Sequence, residues 1–366
     1  MRLSLFGAAL GLLSYPSLVT AQTYTSCNPR QNTCPADTAL GKSASYDFTS
    51  GSSSAFESTG SPAYSDDGVA FTVAKKGDAP LIQSKWYIMF GRVEYVIKAA
   101  PGTGIVSSAV LQSDDLDEID WEWLGGNNNL VQSNYFGKGE TSPNNRGATH
   151  DVANNHDEFH TYTVDWTSEQ IVWQIDGKTV RVLTPETANA NQYPQTPMVV
   201  KVGIWAGGDP NNAQGTIDWA GGETDYSAGP YTMYMKSLKV TDYSTGSSYS
   251  YSDKSGLWTS ITSDGGKING NVNADTISSV QSAPTITATV SIPIPWEGTH
   301  RETSSFVTPD IWPWVTGTGA ATAYSGDWSY SGSGQVQPPS AASVLYLPVY
   351  VSLLAICAGF IIPLRL

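Results

Sequence analysis

Residues 116–124 read Leu-Asp-Glu-Ile-Asp-Trp-Glu-Trp-Leu. On an extended strand alternate side chains share a face, so Glu118, Asp120 and Glu122 point one way and Ile119, Trp121 and Trp123 the other. Like charges two residues apart repel and raise one another's pKa, so three carboxylates on one face, backed by a hydrophobic face, demand a chemical explanation. The chemistry they suit is displacement at a glycosidic carbon. One carboxylate attacks, a second protonates the leaving oxygen, and an acid between them couples their charge states. The outer Cα atoms on a straight strand stand about 13 Å apart, whereas a retaining pair needs carboxyls about 5 to 5.5 Å apart. The strand must therefore be concave toward its substrate, with long Glu side chains closing the gap. A solvated acidic strand and a calcium site are the competing readings. Calcium usually draws ligands from loops with carbonyl help, and the flanking Trp residues suit a core strand better.

The elements that would position this stretch are short β-like runs punctuated by Gly, Asn, Asp and Pro. They cover residues 91–99, 105–112, 118–124, 130–136, 159–166, 171–175, 198–205 and 231–241. With no convincing amphipathic helix, such spacing predicts an all-β sandwich. Asp176-Gly177, after the apolar run 171–175, supplies the turn of a hairpin. Parts of residues 242–270 are expected to cover the sandwich edge.

Composition places this sandwich outside the cell. Only 14% of residues are charged, against 35 Gly, 12 Trp and 19 Tyr, where an ordinary globular chain has roughly a quarter charged. A net charge of −14 argues against nucleic acid or anionic membrane surfaces as partners, since both are polyanions. Met1-Arg2, the apolar run 3–13, Pro16 and Val19-Thr20-Ala21 form a secretory signal peptide, residues 1–21. At the other end residues 344–364 are uncharged and apolar, preceded by a polar spacer and the small residues Gly332-Ser333-Gly334. That order matches a GPI-attachment signal, with Ser333 or Gly332 as the site and 334–366 as the discarded propeptide. A single membrane span with a two-residue cytosolic end is the alternative. Between about residue 273 and residue 333 the chain is rich in Ser, Thr, Gly and Pro, which predicts a disordered, O-mannosylated stalk. No Asn-x-Ser/Thr sequon occurs, so any glycosylation is expected to be O-linked. Cys357 lies in the discarded tail, leaving Cys27 and Cys34 to pair as a disulfide in an oxidising compartment. Two thiols without clustered His make a zinc site improbable; no metal or cofactor is expected.

Over residues 46–270 the chain resembles glycoside hydrolase family 16, and within it the fungal Crh-type cell-wall transglycosylases. Asp-Glu-Ile-Asp-Trp-Glu-Trp at 117–123 resembles the family signature in its form without a bulge. Supporting matches are Gly104-Ile-Val-Ser-Ser108, Val131-Gln-Ser-Asn-Tyr-Phe136, Phe159-His-Thr-Tyr-Thr-Val-Asp-Trp166, Trp205 and Asp218-Trp219. The resemblance implies a concanavalin-like β-jelly roll spanning residues 22–272, with Glu118 as nucleophile, Asp120 as auxiliary acid and Glu122 as general acid/base.

If Asn134 faces the cleft, as the resemblance implies, alternation gives Gln132 and Phe136 the same face and sends Tyr135 to the core. Amides can bind sugar hydroxyls, and aromatic rings cover the apolar faces of pyranoses. Trp205 and Trp219 sit where the family keeps sugar-stacking tryptophans, with a core-only role as the alternative for each. Gln112 stands where glucan-hydrolysing relatives tend to place an aromatic, which weakens the case for an ordinary glucanase. His160 is expected to be structural. The implied function is that of a monomeric, GPI-anchored enzyme at the outer face of the cell membrane and in the wall. It would cleave a chitin donor with retention and pass it to β-glucan or chitin. A hydrolase using the same carboxylates and a non-catalytic wall lectin are the rival readings.

Overall fold

The computed structural model describes residues 25–140, 142–143, 145–271, 329–330 and 336–337. The signal peptide, the GPI site at Gly332 or Ser333, and all but four residues of the stalk and propeptide lie outside the described residues. The chain divides into two units. In the smaller, the described residues pair as a two-stranded antiparallel ladder, Ser329–Tyr330 with Val336–Gln337.

The larger unit is built on two large antiparallel sheets. One runs, from edge to edge, Ala148–Asp151, Leu130–Phe136, Glu118–Leu124, Ile105–Ser113, Met198–Ala206, Leu81–Ser84 and Phe56–Thr59. The other runs Lys178–Leu183, Ile171–Ile175, His160–Trp166, Gly91–Lys98, Tyr231–Asp242, Gly68–Val73 and Ala63–Ser65, with Ser43–Asp47 also paired to Tyr231–Asp242. In the second sheet alternation sets the faces: Val93, Tyr95 and Ile97 are buried while Arg92, Glu94 and Lys98 are part-exposed. The central strands of the first sheet are buried almost throughout. One face packs on the core and the other forms a sheltered floor, so polar side chains such as Ser108, Gln112, Asp120 and Lys201 are buried along with the apolar ones.

The core holds the largest side chains of the signature strand. Trp121 and Trp123 are fully buried and meet Tyr162 edge-on, at 5.5 and 4.6 Å between ring centres. Trp173 Nε1 donates to the Asp120 carbonyl at 3.3 Å, fastening the strand from beneath.

The strands expected from spacing form with ends shifted by at most one residue. Asp176 and Gly177, both at positive φ (49° and 78°), make the hairpin turn between Ile171–Ile175 and Lys178–Leu183. Within residues 242–270, Ser248–Tyr251 and Ile261–Asp264 form a three-stranded sheet with Asp37–Thr38 that covers the end of Tyr231–Asp242. Asp242 ties this cover down by accepting from Gly41 N, Met89 N, Ser244 N and Tyr249 Oη. Cys27 and Cys34 are disulfide-bonded, closing the N-terminal arm. Trp219 ends a short helix, Gln214–Trp219, that the strand pattern does not anticipate. Six residues without a side-chain N-cap carry too little periodicity to be read from sequence. Among the described residues no helix is long and apolar enough to cross a membrane.

Candidate active site

The turn entering the signature strand is fixed before the first glutamate. Ser113 N donates to the Asp117 carbonyl at 2.9 Å, and Leu116 between them takes φ 69°, a left-handed conformation unusual for Leu. The Asp117 carboxylate accepts from Lys138 N, Lys138 Nζ and Gln195 N at 2.9, 3.3 and 2.8 Å. Thr196 Oγ1 lies 2.7 Å from Asp115 Oδ1 and 2.9 Å from Asp117 Oδ2. Burial, with the Asp115 charge beside it, pushes the Asp117 carboxyl up to about 6. A buried acid so heavily bonded leaves the following residue little freedom.

The ladder then sets three rows across one face of the sheet. Phe136, Glu118 and Gln112 form the first, Asn134, Asp120, Val110 and Lys201 the second, and Gln132, Glu122 and Ser108 the third. Directly opposed residues share a face, with Cβ atoms about 4.5 to 5.5 Å apart. Glu118, Asp120 and Glu122 are only 3, 2 and 4% exposed, which overturns the solvated-strand reading. The calcium reading gains no support: among the described residues no three His, Cys, Asp or Glu side chains are grouped to hold a metal ion.

The three carboxylates sit in different fields. Burial pushes Glu122 well above the ordinary carboxylate range, and the Glu118 charge adds to it. Asp120 is raised first by burial, then by the charges of Glu118 and Glu122 and a hydrogen bond with Glu118. Two cations lie toward Glu118. Lys201, 7% exposed, donates from Nζ to Gln112 Oε1; burial lowers it to about 8, while Glu118 and Asp114 act to hold its charge. The Arg146 guanidinium lies over the Phe136 ring at 4.5 Å and donates to Gln192 Oε1 at 2.7 Å. Burial lowers it, against the charges of Asp120 and Glu118.

At the Glu122 end the surroundings are aromatic and amide. Trp205, on Met198–Ala206, is 7% exposed and lies under Trp219, the rings 6.1 Å apart and 26° from parallel. Trp219 is part-exposed, and its Nε1 donates to Gln132 Oε1 at 3.0 Å. The helix carrying Trp219 is held by close backbone contacts: Gly104 N donates to the Ala220 carbonyl, and a Cβ on Gly208 would stand 2.1 Å from the Gly222 oxygen. Asn134 Oδ1 accepts from Tyr135 N at 3.0 Å, which leaves its NH2 for the cleft, and Tyr135 is buried. His160 bonds Asp176 and the Ala153 carbonyl, far from the ladder of carboxylates in sequence and pairing.

Lys201 and Arg146 are absent from the sequence-based site. Lys201 was discoverable as the lone charge of the nine-residue strand Met198–Ala206, since a charge in such a run needs a partner. Arg146 lies in a polar connection with no periodicity to mark it.

The sequence pattern of glycosyl hydrolases family 16 matches residues 46–221, the segment that contains all these side chains. Crh-like protein 4 of Aspergillus fumigatus is 70% identical over 352 residues, covering 94% of this chain and 78% of that protein. The chain belongs to glycosyl hydrolases family 16. Congo red hypersensitive protein 1 of Saccharomyces cerevisiae is 52% identical over 248 residues, covering 67% of this chain and 48% of that protein. Among solved structures, apo Crh5 transglycosylase superposes with a TM-score of 0.64 at 53% identity, covering 65% of this chain and all of that one. A second Crh5 transglycosylase structure, in complex with NAG, is 52% identical with the same TM-score.

Proposed function

We propose that this chain is a retaining transglycosylase of the fungal cell wall that cleaves a chitin donor and transfers it to β-glucan or chitin. The observation that carries the reading is the unequal field along one strand: Glu122 is buried and pushed toward its protonated form, while cations lie beside Glu118. Environments that push paired acids apart assign their roles. Glu118 attacks C1 as the C1–O bond to the leaving sugar breaks, and Glu122 gives that oxygen its proton. Glu122, now a carboxylate, takes the proton of an acceptor hydroxyl whose oxygen attacks C1, and the Glu118–C1 bond breaks to regenerate the enzyme. Asp120 shares protons with both as they change charge.

Transfer in place of hydrolysis needs an acceptor hydroxyl to outcompete water at roughly 55 M, and held groups reach effective molarities of about 10⁵ M or more. Trp219, with Gln132, is one wall of an acceptor site, while Asn134, Phe136 and Trp205 complete the sugar-binding floor. The similarity to enzymes named as transglycosylases supports transfer, and the NAG complex of one of them supports an N-acetylated donor. Cleavage of residues 1–21, a stalk at 273–333 and lipid attachment at Ser333 or Gly332 would hold a monomeric enzyme at the outer membrane face and in the wall.

Sizing the products of chitooligosaccharides, with and without labelled laminari-oligosaccharides, tests the proposal. Labelled hybrids longer than either substrate are expected. Shortened chitooligosaccharides alone would make the chain a hydrolase, and binding without any product would make it a lectin.

A further inference from the structure

Gln112 stands directly across the ladder from Glu118, on the same face, and is 2% exposed. Its Oε1 accepts from Lys201 Nζ. An ammonium can only donate, so it dictates which way the amide is turned: oxygen toward Lys201, NH2 away. That NH2 is buried and, among the described residues, has no hydrogen-bond partner. Buried donors in native proteins are paired as a rule, and an exception calls for a reason. Here two further observations bear on it. Lys201 is itself buried on the floor, an expensive place for an ammonium, and its bond to Gln112 fixes the amide from the strand on the far side. On the opposite flank of Glu118 stands Phe136 under the Arg146 guanidinium, so the two sides of the nucleophile differ, one an amide donor and the other aromatic.

A sugar carbon attacked by Glu118 has two ring neighbours, C2 with its substituent and the ring oxygen. We infer that the Gln112 NH2, set by Lys201, donates to the acetamido carbonyl at C2 of the sugar held over Glu118 and so selects an N-acetylated donor. This rests on the transglycosylase reading and specifies its donor site. An acetamido carbonyl projects two bonds beyond the position of a hydroxyl oxygen and is acceptor only, as a fixed NH2 requires. A glucosyl residue presents its C2 hydroxyl closer to the ring, so the amide stays unpaired when glucose occupies the site. Sites built around a hydrogen bond reject ligands that cannot complete it. Lys201 is thus a positioning residue, acting through Gln112.

Chitotetraose and cellotetraose share their linkage and differ only at C2, so together they isolate this contact. The full chain is given both donors in one mixture, cellotetraose in excess, with a labelled acceptor, and the two products are counted. In Gln112→Ala the ratio of chitotetraose to cellotetraose use should fall about 10- to 100-fold. Gln112→Glu keeps the shape and an acceptor for Lys201 but loses the NH2, and should fall as far; it carries the test if the Ala variant fails to fold. Lys201→Met frees the amide to turn, and should lower the ratio by a smaller factor. Equal loss of both products in the Gln112 variants, or an unchanged ratio in Gln112→Glu, would overturn the inference. A wild-type enzyme that transfers neither donor would instead sink the transglycosylase reading itself.

Discussion

The two ends of the signature strand carry the same residue type and almost the same burial, yet their surroundings differ. Around Glu118 lie Lys201, Arg146 and a fixed amide. Around Glu122 lie Ser108, Gln132 and the Trp205–Trp219 pair, and burial works on it first. Identical side chains thus sit in different fields, the basis for the opposite roles proposed for them. Where cations stand, negative charge is favoured and attack is possible. Where burial leads and the neighbouring Glu118 charge adds to it, protonation is favoured.

The contrast breaks most sharply at Glu118. Glu118→Gln should reduce turnover by about 10⁴-fold or more, because a neutral amide is a poor nucleophile; initial rates on chitooligosaccharides check it, and near-normal turnover would remove Glu118 from the catalytic set. Next in size, Glu122→Gln should cost about 10²- to 10⁴-fold on natural sugars. Its defect should largely vanish in rates measured with a donor whose leaving group needs no proton.

Asp120 belongs to both ends, and Asp120→Asn should slow transfer by about 10- to 100-fold. The pH profile of activity should also shift, since Asp120 titrates as one of a coupled set with Glu118 and Glu122. Stability sharpens the point. An acid whose folded value is raised contributes stability below its unfolded value and loses it as pH rises toward the folded value. Asp120→Asn should therefore melt above the wild type at pH 7–8, with the gap closing near pH 4. The smallest effect belongs to the aromatic end: Trp219→Ala should lower transfer more than donor cleavage, shifting the product ratio a few-fold. Equal loss of both products in a folded variant would move Trp219 out of the acceptor site.

Much of this was legible because alternation is a backbone property. The period of two in 118–124 and 130–136 fixed which side chains share the floor, and the observed register pairs Glu118 with Phe136 and Glu122 with Gln132. The helix ending at Trp219 was not legible, since its position depends on backbone contacts with Gly104 and Gly208, far away in sequence. Nor was the role of Arg146, whose perch on Phe136 is set by the course of a loop and by Gln192. Lys201 lies between these cases: its oddity shows in sequence, but its partner Gln112 appears only when the strands are paired.

The division of labour along the strand is tested most directly by trapping. Glu118→Gln and Glu122→Gln are each incubated with an activated chitooligosaccharide donor, digested, and searched by mass spectrometry for a glycosylated peptide spanning residues 117–124. An adduct on Glu118 in the Glu122→Gln variant, and none in the Glu118→Gln variant, is the expected result. An adduct on Glu122 in the Glu118→Gln variant would contradict it.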